Sequence, residues 1–122
     1  MTGLRLVSAN DHLLEPPHLW KEHLPARWRD EAPVVVDDDD GVGQYWRFGA
    51  ELVPVSRLAT VAGEDPDSFR QPQPSRFEDL KRGSWDPVAR LADMDRDGVE
   101  RHACQPTVIG FAGTKLLDLA DR

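Results

Sequence analysis

Only one cysteine, Cys104, occurs in 122 residues, which excludes an intrachain disulfide and a multi-cysteine zinc cage. Basic residues are scarce beside acidic ones, 15 Lys and Arg against 22 Asp and Glu, and the formal net charge is -7. A chain of that sign has no basic face to neutralise phosphates, so nucleic acid is excluded as a partner. It is not drawn to anionic membrane surfaces either. No stretch approaches the ~20 apolar residues of a membrane span. The start, MTGLRLVSAND, has neither the basic stretch nor the long apolar region of a signal peptide. Internal repeats are absent, and the four aspartates at 37–40 are the one low-complexity tract. The expectation is a cytoplasmic protein without a membrane partner. With 39% hydrophobic and 30% charged residues, one modest core is within reach.

What is present begins with LRLVSANDHLLEPPHLW. Leu4–Ala9 reads as a short strand, apolar enough for burial on both faces, and Pro16 and Pro17 enforce extended or first-turn geometry after it. HLWKEHLPARW suits one or two short helical turns broken at Pro25. Val34–Val36, the turn signal DDDDGVG and the alternation in QYWRFG predict a hairpin over 33–53. Residues 54–83 carry no hydrophobic period. A coil that long is uncommon inside a compact domain and is expected to lie against something larger.

WDPVARLADMDRDGV is the clearest helix. Asp86 stands at the N-cap and Pro87 at the first helical position. Val88, Leu91 and Met94 form an apolar stripe, Asp86 and Arg90 a pair four apart, and Gly98 a left-handed stop. VERHACQPTVIG reads as a second strand and TKLLDLADR as the start of another helix. The β…α-β-α order predicts a parallel sheet.

Several motifs admit a bland reading. DMDRDG (93–98) matches the first half of a calcium loop, but the closing glutamate's position is Cys104, and the helix end with its glycine cap explains the same residues. DDDDGVG is a solvated turn. His18 and His23 fit surface or packing positions. His102 and Cys104, two apart on one strand face, could ligate a metal or pair as nucleophile and base, yet no third ligand or orienting acid stands nearby. His12 differs by position. At the carboxyl end of a buried α/β strand, side chains project into the crevice where ligands bind, and Asn10, two before it, points to the same side. Asn10 and His12 are therefore the candidate metal-ligating pair. Asp11 and Glu15 are candidates for turn formation, bonding backbone N–H groups before the prolines.

VSANDHLLEPPHLW, LPARWRDEAP, RFEDLKRGSWDPVARLADMDRDGVE and the trailing QPT resemble, in order and spacing, the N-terminal part of the amidohydrolase-2 family. These are metal-dependent hydrolases and decarboxylases related to aminocarboxymuconate-semialdehyde decarboxylase. The similarity spans residues 5–112. It implies an α/β fold, the N-terminal portion of a (β/α)8 barrel, with a divalent metal, zinc or manganese, at the strand ends. The family's acid-or-histidine, any residue, histidine pattern maps its second member onto His12 and its first onto Asn10, whose neutral amide is a weaker ligand. Glu15 matches an acid that many relatives carry before the proline pair, and the resemblance implies for it, with Asp11, a place on the substrate side or behind the metal ligands.

A complete barrel needs roughly 250 residues, so the resemblance implies an incomplete one. Residues 1–15 supply the first strand and metal-side turn, 16–85 an insertion with hairpin and coil, and 86–122 a helix-strand-helix. The expected function is that of an N-terminal fragment of an enzyme acting by hydrolysis or nonoxidative decarboxylation on a small carboxylate-bearing substrate. Alone it is expected to be inactive and to hold metal weakly, with its catalytic residues unassigned. Its implied partners are the remainder of the barrel or a second copy of itself. The competing expectation is a non-catalytic α+β module that associates with a partner chain.

Overall fold

The computed structural model describes residues 5–56, 60, 65–67, 74–110 and 113–115. The chain divides into two compact units, one of residues up to Glu15 together with those from Arg82 onward, the other Pro16–Lys81.

In the first unit, β1 (Leu6–Leu13) pairs in parallel with β5 (Val99–Pro106), and α2 (Pro87–Asp97) connects into β5. Parallel strands cannot be joined by a tight turn, and the helix is the crossover. Asp86 starts the helix by accepting hydrogen bonds on Oδ1 from the backbone N–H of Val88 at 2.9 Å and of Ala89 at 3.2 Å. Gly98, at φ 69°, ends it, a left-handed conformation that costs glycine little. β1 slips against β5 between Ser8 and Asp11, where Ser8 faces His102 and Asp11 faces Cys104. Two residues, Ala9 and Asn10, thus oppose Ala103 in a bulge.

The second unit carries α1 (Leu19–His23), a 3-10 helix at Ala26–Glu31, and an antiparallel meander of β2 (Val34–Asp37), β3 (Gln44–Phe48) and β4 (Glu51–Pro54). Asp38 holds the β2–β3 turn, accepting from Val42 N at 2.8 Å and Gly43 N at 3.0 Å. Its core is Trp46, 1% exposed, with Ala32, Val55, Phe77 and Leu80. Phe77 meets the Trp46 ring edge-on at 84°, with centroids 6.0 Å apart. Ser75 continues the meander, donating to Val55 O at 2.8 Å and accepting from Gln44 N at 3.1 Å.

The barrel expectation is corrected by this architecture. The described strands form a two-stranded sheet and a separate three-stranded one, with no residue of β1 or β5 buried. An interior barrel strand would be covered on both faces. Trp46 gives the Pro16–Lys81 unit a core of its own.

Smaller corrections have local causes. The first strand extends to Leu13 rather than ending at Ala9, so the polar cluster lies inside it. The 33–53 hairpin is a three-stranded meander, since Gly49 at φ 56° turns the chain back once more. Arg82–Ser84, expected in the insertion, belongs with the first unit. The stripe on α2 is outward: Val88 is 75% and Leu91 60% exposed. Asp86 pairs with Arg82 at 2.7 Å, not with Arg90. Residues 57–59, 61–64 and 68–73 of the coil over 54–83, and most of the helix expected from Thr114 onward, lie outside the described residues.

Trp46→Ala should cost about 3–5 kcal/mol, the range for emptying a buried aromatic site, read as a lowered urea midpoint. The hydrogen bond from Arg82, then the backbone N–H of Ala89, hold the Asp86 carboxyl below its ordinary 3.8. Its stabilising effect is therefore complete above that value and lost as pH falls through the lower, folded one. An Asp86→Ala variant should show a lower thermal midpoint at pH 7, and the gap from the parent should close in strong acid.

Candidate functional site

The carboxyl ends of β1 and β5 lie side by side, with His12 opposite Gln105 and Leu13 opposite Pro106. The bulge at Ala9–Asn10 sorts the side chains of β1. Ser8, Asp11 and Leu13 are half-buried, whereas Ala9, Asn10 and His12 are exposed. On β5 the half-buried set is His102, Cys104 and Pro106. One face of the pair thus carries Asp11, His102 and Cys104, the other Asn10 and His12.

Asn10 and His12 share the exposed face, so the two candidate ligands are on one side of one strand. Their donors are one imidazole and one amide, short of the three protein ligands of a catalytic zinc. Among the described residues no group of three or more His, Cys, Asp or Glu side chains could hold a metal ion. The donor set of this chain does not fit a metal centre by itself, and no chemical step is derived through one.

Glu15 is engaged elsewhere. Its carboxylate, 3% exposed, accepts from three successive backbone N–H groups in the turn after β5. Thr107 N lies 3.3 Å from Oε2, Val108 N 3.0 Å from Oε2, and Ile109 N 3.3 Å from Oε1. Successive amides in a turn make a concavity suited to an anion, and here the chain's own carboxylate fills it. Thr107 Oγ1 donates to Leu13 O at 2.7 Å, and Leu14 N donates to Ser84 O at 2.8 Å. The end of β1 is thus tied to the turn after β5 and to the turn before α2.

Asp11 faces the helix side, with Oδ2 3.6 Å from His102 Nδ1. The residue that sequence reasoning missed is Arg90. Its guanidinium donates to Gly83 O at 3.2 Å and His12 O at 3.4 Å, and reaches His102 Nδ1 from Nε at 3.3 Å and Nη2 at 3.2 Å. The five fixed donors of arginine suit such a junction. Its position within a helix, beside a plausible i,i+4 partner, gave no sign of these long-range acceptors.

No helix among the described residues is long and apolar enough to cross a membrane. No protein-family model matches the chain, and no curated protein sequence matches it.

Glu15→Ala should be strongly destabilising, because each buried N–H left without an acceptor costs about 1–3 kcal/mol. Glu15→Gln should be milder, since one amide oxygen can still accept. Equilibrium unfolding that ranks the two alike and near the parent would remove the clasp from this account.

Proposed function

We propose that the chain contributes part of a metal-dependent amidohydrolase-type site, with His12 as a metal donor and Asn10 as a weaker companion. The reading rests on the resemblance across residues 5–112. The geometric feature that supports it is that both donors lie on one face of one strand, although that face is open to solvent and is not the crevice at the end of an interior strand that the resemblance implies. The fold does not decide the reaction, so the class stays at hydrolysis or nonoxidative decarboxylation of a small carboxylate-bearing substrate. A bound divalent ion, zinc before manganese, would supply Lewis acidity or a lowered pKa of bound water. The remaining donors would come from further polypeptide, so that the chain alone is inactive. Its acidic charge and single cysteine support a cytoplasmic place.

A second reading, a non-catalytic α+β module that binds a partner chain, has its own support. Leu6 and Val7 on β1 and Val88 and Leu91 on α2 are each more than half exposed. A two-stranded sheet also leaves strand edges open to pairing.

The two readings part on measurement. On the first, zinc measured by mass spectrometry after dialysis of the isolated chain should be well below one equivalent, and the reading frame beyond codon 122 should encode further histidines and an aspartate. In a protein containing that remainder, His12→Ala should lower metal occupancy and activity together, while Asn10→Ala should have the smaller effect. Full metal occupancy in the His12→Ala protein would refute the ligand role. Tight association of the isolated chain with itself or a second chain, unaffected by His12→Ala and lost in Leu91→Asp, would favour the module.

A further inference from the structure

The helix side of the parallel pair holds a cluster that the proposed function does not use. A single nitrogen, His102 Nδ1, lies within reach of two opposite charges. Arg90 Nε and Nη2 approach it at 3.3 and 3.2 Å, and Asp11 Oδ2 stands 3.6 Å away. A guanidinium has donors only. Where the guanidinium donates to Nδ1, that nitrogen offers its lone pair, the arrangement of a neutral ring with its proton on Nε2. In this state Asp11 Oδ2, a buried atom, has no hydrogen-bond partner among the described residues. Protonation of Nδ1 reverses both relations. The new N–H opposes the guanidinium donors and offers the buried carboxylate oxygen the partner it lacks.

We propose that His102 is a proton-operated latch between α2 and the β1–β5 pair. Neutral, it accepts from Arg90 and fastens the helix; protonated, it releases Arg90 and pairs with Asp11. Arg90 then retains only carbonyl acceptors, Gly83 O and His12 O, and the contact between α2 and β5 loosens. Of the described charged or titratable groups on the packed elements, His12, Asp95, Arg96, Asp97, Glu100 and Arg101 are exposed. Asp11 comes from β1, Arg90 from α2, and Cys104 from the same face of β5. Asp93, nearly one turn beyond Arg90, is paired with Arg96 at 2.6 Å, and Arg82 with Asp86 at 2.7 Å.

Nuclear magnetic resonance on the full-length, 15N-labelled chain tests this. His102, assigned by the signals lost in His102→Gln, should show the Nε2–H tautomer at high pH. Amide exchange over Arg90–Met94, corrected for its intrinsic pH dependence, should quicken several-fold as the ring protonates, and this quickening should vanish in His102→Gln. Arg90→Gln should let the ring protonate at higher pH and Asp11→Asn only at lower pH, because each removes one of two opposed charges. An Nδ1–H tautomer at high pH overturns the latch, and that measurement needs no variant. So does a quickening that persists in His102→Gln, or a displacement in the same direction in Arg90→Gln and Asp11→Asn.

Discussion

The first unit is closed by a carboxylate held in a row of backbone amides. Two parallel strands alone have little to keep them together. Each is only half covered, and parallel ladders are slightly weaker per residue than antiparallel ones. Glu15 compensates at the open end by gathering the amides of Thr107, Val108 and Ile109. Charge-assisted bonds of this kind are about twice as strong as neutral ones. Being buried, the carboxylate cannot be exchanged for water without leaving those donors unpaired.

That clasp also fixes which side chains are left for chemistry. With Glu15 spent on the turn and Asp11 turned toward His102, the acidic residues around the candidate pair are not free to complete a ligand set. Asn10 and His12 remain on the exposed face, and Arg90 fixes the backbone at His12 through its carbonyl. A pair of one imidazole and one amide is too small a donor set to hold an ion alone.

The barrel expectation failed for a physical reason. It treated LRLV as an interior strand. Apolar runs of four residues do not reveal whether neighbouring strands exist to cover them, and β1 is exposed at Leu6 and Val7. Conversely, Trp46, Phe77 and Leu80 are dispersed over 35 positions of sequence, and no periodicity announces that they converge on one core. The apolar stripe on α2 failed similarly. Val88 and Leu91 have the right spacing but are exposed, Met94 is half-buried, and the helix reaches the strands through Arg90.

Local chemistry written in neighbouring residues was readable directly. Asp86-Pro87 and Gly98 delimit α2 because a cap, a missing N–H and a left-handed glycine act within one turn. The acidic turn before β3 follows likewise from Asp38 bonding backbone groups four and five residues on. The side to which Asn10 and His12 turn together also follows from neighbouring residues, though through a bulge that spacing did not foresee. What lay beyond the sequence were the long-range partners: Glu15 with residues 107–109, Arg90 with His12 and His102, Asp11 with His102. Each joins groups 12 to 94 positions apart, and such pairs exist only once strand register and helix rotation have been set by packing.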